Sequence, residues 1–206
     1  MERKYRVGIM GGTFNPVHIA HLILAENAYR EFDLDSVMIL PNGDPPHKAI
    51  EKLSDNHARV EMLRLAVENT PYFCLSEMEM QRKGLSYTSD TLAELNRRHP
   101  DTDYYFIMGA DSLFQIETWH EPDRIMASCI ILAAVRDHHS MEEMEAQAGH
   151  LRRKFGADIR LMHVPALDLS SSDIRKRVSE GHSIRYMVPE KVESYIKEHH
   201  LYLERS

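Results

Sequence analysis

Cysteine is scarce in this chain, two in 206 residues, too few for a disulfide framework. Both, Cys74 and Cys129, lie in strand-like runs, 72–75 and 128–131, which predicts buried, inert thiols. Long apolar runs are absent: the longest, 129–135, falls far short of the roughly 20 residues that cross a bilayer and fits a buried strand. A secretory signal is not expected, because Glu2, Arg3, Lys4 and Arg6 charge the first residues and Gly8 interrupts their apolar part. The expectation is a soluble, cytoplasmic protein with no membrane partner. Excess positive charge is also lacking. With 25 Lys and Arg against 32 Asp and Glu, the net charge is -7, so no global field draws the chain to nucleic acid, although a local basic site stays open. Low-complexity stretches and repeats are absent, and the length suits one α/β domain over residues 1–206 rather than two.

What is present is an alternation of short apolar or β-branched runs with longer stretches of helical period, the pattern of βα units around a parallel sheet. Strands are predicted at 5–10, 36–40, 73–76, 104–108, 130–134 and 159–163. Helices are predicted at 17–31, 57–68, 89–98, 121–127, 141–155, 172–180 and 189–198. The last two helices follow the final strand and are expected to form a small C-terminal helical annex, residues 169–206. The stretch 41–48 carries three prolines and a glycine directly after a predicted strand, so it reads as a loop at the carboxyl edge of the sheet, where ligands bind in open α/β folds. A plain connecting turn is the alternative there.

The first strand runs into Gly8-Ile-Met-Gly-Gly-Thr-Phe-Asn-Pro-Val-His-Ile-Ala-His21, read as strand, glycine turn and helix start. Glycines at such a turn let backbone N–H groups approach a phosphate. Asn15 is expected to cap the helix and Pro16 to occupy its first turn, with His18 and His21 three apart on one face. The dinucleotide fingerprint Gly-x-Gly-x-x-Gly is missing, as is the Gly-Lys-Ser/Thr of a P-loop, and a zinc site would lack a third ligand. Near the other end, Leu169-Ser-Ser-Ser-Asp-Ile-Arg175 places three hydroxyls at a helix start, one as cap and the others free to donate to an anion. Each segment alone also fits an ordinary capped helix.

Together the two segments resemble the paired signatures of the HxGH nucleotidyltransferase superfamily, G-G-x-F-x-P-x-H-x-G-H and S-S-T-x-I-R. Two positions depart, Ala20 for Gly and Ser172 for Thr, and neither removes a contacting group. Pro45-Pro-His-Lys48, residues 57–63, Ser86-Tyr-Thr-Ser-Asp-Thr-Leu92, Phe106-Ile-Met-Gly-Ala-Asp-Ser-Leu113 with Trp119, and residues 184–192 extend the resemblance, over nearly the whole chain, to bacterial nicotinate mononucleotide adenylyltransferases.

The resemblance implies a Rossmann-like parallel sheet flanked by helices. It implies ATP held by Gly11, Gly12, Thr13, Phe14, His18, His21, Gly109, Asp111, Ser171, Ser172 and Arg175, with His18, His21 and Arg175 catalytic. Nicotinate mononucleotide would lie against Lys48, Tyr87, Thr88, Asp111 and Trp119, although Trp119 also reads as a packed indole. The acceptor phosphate is already ionised, so no general base is required and the histidines act as donors. Mg²⁺ is expected on the triphosphate, with no protein metal site, and acid is expected to be chosen over amide by backbone N–H groups near Thr88 and Trp119. Alternatives are a phosphopantetheine-type adenylyltransferase or a nucleotide sensor without catalysis. A homodimer stays open.

Overall fold

A computed structural model describes residues 3–43, 55–82, 84–135, 139–165 and 167–203. Six strands, β1 (Tyr5–Gly12), β2 (Ser36–Pro41), β3 (Phe73–Leu75), β4 (Thr102–Gly109), β5 (Ile130–Val135) and β6 (Ile159–His163), pair in parallel in the order β3-β2-β1-β4-β5-β6. Helices α1 (Ile19–Glu31), α2 (Asn56–Val67), α3 (Thr88–Arg98), α4 (Ala110–Gln115), α5 (Pro122–Ser128), α6 (Met141–Phe155), α7 (Ser171–Ser179) and α8 (Glu190–Glu198) connect or follow them.

A parallel sheet is buried on both faces, so its strands carry near-continuous apolar runs and successive side chains enter different cores. In β4, Tyr105 and Ile107 pack with Leu24 and Ala28 of α1 and Met62 and Leu63 of α2, while Tyr104, Phe106 and Met108 pack with Leu92 of α3, Ile125 of α5 and Leu151 of α6. The result is a three-layer, Rossmann-like α/β fold. Ile174 of α7 and Val192 and Ile196 of α8 join the first core, so the C-terminal helices continue the α1 and α2 layer.

All six expected strands and seven expected helices are present, with shifts at their ends. Helix α4 and the 3₁₀ turn at Ile116–Thr118 were not expected, because α4 buries only Ala110 and Leu113 and is too short to show a period. Helix α1 starts at Ile19 with His18 at its N-cap, so Asn15 is not the cap. Asn15 instead is buried, and its Oδ1 accepts from the Tyr202 hydroxyl at 2.8 Å. Cys74 is exposed, contrary to the expected burial: β3 is a short edge strand whose Phe73 and Leu75 face the core, which leaves the residue between them facing outward. Cys129 is half-buried, and burial pushes its thiol pKa up to about 12, which makes it inert at neutral pH.

Candidate active site

The chain builds β1, β2 and β3 to one side, then returns to β4 beside β1, so the crevice between β1 and β4 is the switch point where such sheets bind ligands. Gly11 and Gly12 end β1, paired with Leu40 and Pro41, and Gly109 ends β4 as the N-cap of α4. A Cβ on Gly12 would meet the Phe14 ring at 3.0–3.2 Å, so glycine lets that ring fold back over the strand end without having to give way. At Gly43 a Cβ would come within 2.2 Å of the Glu79 carbonyl oxygen, which glycine alone allows.

The loop between β1 and α1 is held through its carbonyls. Arg59 Nη1 donates to Thr13 O at 2.8 Å, Arg175 Nη1 to Asn15 O at 2.8 Å and Ser171 Oγ to Pro16 O at 2.9 Å. The two segments singled out from the sequence therefore meet: the start of α7 is bonded directly to the loop that starts α1. At that start the backbone N–H of His18 donates to His21 Nδ1 at 3.2 Å. An amide can only donate, so Nδ1 must carry a lone pair and the proton of neutral His21 sits on Nε2. The His18 and His21 rings stack at 3.6 Å, and Phe14 meets His21 edge-on at 5.0 Å.

At α7 the expectation holds for one hydroxyl and fails for another. Ser170 is the cap, accepting from the Asp173 amide at 3.1 Å. Ser171 Oγ is spent on Pro16, because the helix start packs against the loop, so only its backbone N–H faces outward from the helix ladder. Ser172 is exposed and its Oγ accepts from Arg175 Nη2 at 3.4 Å, keeping its own proton to donate.

On the other side of the crevice, Asp111 in the first turn of α4 is largely exposed and lies 3.4 Å from His139 Nε2, whose ring stacks on Phe114 at 4.3 Å. Tyr87 is the N-cap of α3 and meets the His120 ring at 4.1 Å, and Thr88 opens the helix. Trp119 is half-buried and edge-on to Phe106 at 6.1 Å; Phe106 is also the ring that a Cβ on Gly11 would face at 3.7 Å. The Trp119 side chain thus reaches the same strand ends as the loop between β1 and α1. Its backbone N–H, however, donates to Ile116 O at 3.1 Å, closing the 3₁₀ turn, so of the two amide groups expected to read the acid only the Thr88 end has N–H groups outside its helix ladder. Lys48 and the rest of Pro45-Pro-His-Lys48 lie outside the described residues.

Three groups escaped the sequence reading. Tyr202 reaches Asn15 from the far end of the chain. Glu79 is buried at the end of β2, where Thr91 Oγ1 donates to it at 2.7 Å; burial raises its pKa, with Thr91, Arg82 and the Gly43 amide opposing. Arg59 shares a helix face with Met62 and Leu63, both wholly buried, and that apolar company was the available signal. Among the described residues no group of three or more His, Cys, Asp and Glu side chains is arranged to hold a metal ion, and no helix is long and apolar enough to cross a membrane.

The sequence model of the Cytidylyltransferase-like family matches residues 9–177, and the chain belongs to that class of nucleotidyltransferases. The protein named "Probable nicotinate-nucleotide adenylyltransferase" of Lachnoclostridium phytofermentans is 46% identical over 198 residues, covering 96% of this chain and 99% of that one. Its namesake in Moorella thermoacetica is 43% identical over 206 residues, covering 100% of this chain and 95% of that protein. Within the class, the chain belongs to the nicotinate-nucleotide adenylyltransferase family. The solved structure of Plasmodium falciparum nicotinic acid mononucleotide adenylyltransferase complexed with NaAD shares the fold, with a TM-score of 0.79 over 96% of this chain and 97% of that one at 21% identity.

Proposed function

We propose that this chain transfers the adenylyl group of MgATP to the phosphate of nicotinate mononucleotide, forming nicotinate adenine dinucleotide and pyrophosphate in NAD biosynthesis. The observation that carries the reading is the direct bonding of two helix N-termini, those of α1 and α7, around one loop at the switch point. Each first turn presents the positive end of a dipole and N–H groups outside its own helix ladder, that of Ile19 being taken by Met187 O at 2.9 Å, a setting suited to two linked phosphates.

An oxygen of the mononucleotide phosphate attacks the α-phosphorus of ATP. The bond from that phosphorus to the oxygen bridging to the β-phosphate breaks, and pyrophosphate leaves with the electron pair. No proton need be removed from the nucleophile, so the protein contributes placement and charge stabilisation. Gly11, Gly12, Thr13 and Phe14 line the triphosphate. His18 and His21 flank the α-phosphate, with His21 Nε2–H donating to the oxygens whose charge grows. Arg175, Ser172 and the Ser171 amide hold the leaving phosphates; Gly109 and Asp111 border the adenylyl group and acceptor. Mg²⁺ enters as part of MgATP, bound mainly by phosphate oxygens and water.

On the acceptor side the pyridine ring stacks by Tyr87 and Trp119, its carboxylate takes the N–H groups at Thr88, and Lys48 neutralises the incoming phosphate. In this reading residues 1–206 work as one nucleotidyltransferase domain in the cytoplasm, with 169–206 carrying the second clamp. The test is pyrophosphate release with MgATP and each of four acceptors: nicotinate mononucleotide, nicotinamide mononucleotide, phosphopantetheine and flavin mononucleotide. Product mass should show the nicotinate dinucleotide as the main product; a dephospho-coenzyme product, or no release with any acceptor, would overturn the reading.

A further inference from the structure

Arg59 has no exposed surface, yet it carries a guanidinium. Its Nη1 donates to Thr13 O at 2.8 Å, and its Nη2 donates to Asn42 O at 3.0 Å, Gly43 O at 3.4 Å and Asn56 Oδ1 at 2.6 Å, with Met80 Sδ at 3.7 Å. No carboxylate among the described residues is hydrogen-bonded to it, although the Asp55 charge acts on it from nearby, and its Nε finds no hydrogen-bond partner there. A buried cation with no carboxylate bonded to it is expensive, and hydrocarbon of the same volume would serve a purely structural purpose better. What hydrocarbon lacks is the fork. Only a planar guanidinium spans the carbonyls of two separate strand-end loops at once.

Those two loops leave β1 and β2 side by side. Because a trans peptide points its C=O and its next N–H in opposite directions, drawing the Thr13 carbonyl toward α2 turns the Phe14 amide to the other side of the loop. The same side chain fixes the end of β2 at Asn42 and Gly43, where the chain enters the proline-rich segment. Its charge is a positive potential behind the loop between β1 and α1, offset in part by the Asp55 carboxylate, and charge in a low-dielectric wall acts over longer range than charge in water.

We infer that Arg59 is a positioning residue for MgATP: it locks the Thr13-Phe14 peptide and the end of β2 at a fixed separation and supports the bound phosphates from behind, without touching them. The inference rests on the adenylyl-transfer reading for its ligand. A merely structural role would lower the fraction of active enzyme and leave KM alone, whereas a positioning role moves the affinity itself.

The decisive variant is Arg59→Lys, which keeps the charge and loses the fork. Calorimetric titration with ATP in the presence of Mg²⁺, without any acceptor, should show affinity weakened about tenfold, the scale of one lost charged hydrogen bond, and KM for ATP should rise by a similar factor. Asn56→Ala, at an exposed position, removes a single bond to the same guanidinium; its melting temperature should be unchanged and its MgATP affinity lowered about threefold. Arg30→Gln, on a distant surface pair with Glu26, should change neither. Unaltered MgATP affinity in a folded Arg59→Lys variant overturns the inference and leaves adenylyl transfer standing. If Arg59→Lys does not fold, unaltered affinity in Asn56→Ala overturns it alone. A wild type that binds MgATP yet transfers nothing sinks the adenylyl reading, while the affinity difference between variants still decides the role of Arg59.

Discussion

Around the phosphate loop three carbonyls, those of Thr13, Asn15 and Pro16, are each gripped by a side chain from another element, and the His21 tautomer is set by a backbone amide. Across the crevice, around Tyr87, Thr88 and Trp119, the contacts are between rings, tilted for Tyr87 and His120 and edge-on for Trp119 and Phe106, and the buried hydroxyls of Ser86 and Ser89 have no hydrogen-bond partner among the described residues. The loop side, Arg59 Nε excepted, has spent these hydrogen bonds on itself; the other keeps the hydroxyls of Ser86 and Ser89 unspent. Bonds made before the ligand arrives preorganise a site and cost nothing at the moment of reaction, which suits the side where charge develops. Unspent donors suit a side that must discriminate between acceptors, since the wrong acceptor leaves them unpaired.

If that contrast is right, substitutions on the loop side cost turnover and those opposite cost affinity. The largest effect is expected from His21→Ala, a loss of roughly 10²-fold or more in kcat with a smaller change in KM for ATP, read by steady-state kinetics. Unchanged turnover with only a raised KM would move His21 to the affinity side and break the comparison. Arg175→Lys keeps the charge but cannot hold Asn15 and the leaving phosphates together, so about a tenfold loss of kcat/KM is expected. Near wild-type rates would reduce Arg175 to a bulk charge.

On the acceptor side, Trp119→Ala should raise KM for both nicotinate and nicotinamide mononucleotides, by up to about tenfold, because stacking on an indole ignores the ring substituent. The acid should be preferred by about 10- to 100-fold in wild type, through the N–H groups at Thr88, and the variant should keep that ratio. A collapsed ratio would show that Trp119 itself chooses the acid.

The smallest effect concerns stability. Burial raises the Glu79 pKa above the ordinary glutamate value of 4.5, so its contribution is fully present below that value and is lost as pH rises through the raised one. The stability of wild type relative to Glu79→Gln should therefore fall as pH rises above 4.5, as measured by denaturant unfolding at several pH values. A gap independent of pH would mean that the end of β2 does not feel this charge.

The comparison also explains what the sequence made legible. The strands were readable because both faces of a parallel sheet are buried and leave apolar runs, as in Ile130–Val135. The paired segments at 11–21 and 170–175 were readable as helix starts, since glycine, serine and histidine at such places have local reasons to be there. Their mutual bonding was not, because it joins residues 155 and 160 positions apart. Asn15 looked like a cap from its neighbours alone, whereas its partner is Tyr202, 187 positions away. Arg59 was not singled out, and Ser171 passed for a free donor, for the same reason: which polar group is spent internally is decided by tertiary contacts.

The central claim is direct transfer to the acceptor phosphate on a preorganised ATP side, with no covalent adenylyl-enzyme. Incorporation of radiolabelled pyrophosphate into ATP tests it most directly. Exchange should occur only when nicotinate mononucleotide is present and should vanish when it is left out. Exchange without any acceptor would reveal an adenylylated side chain, and no exchange with the acceptor present would show that the site binds nucleotide without transferring it.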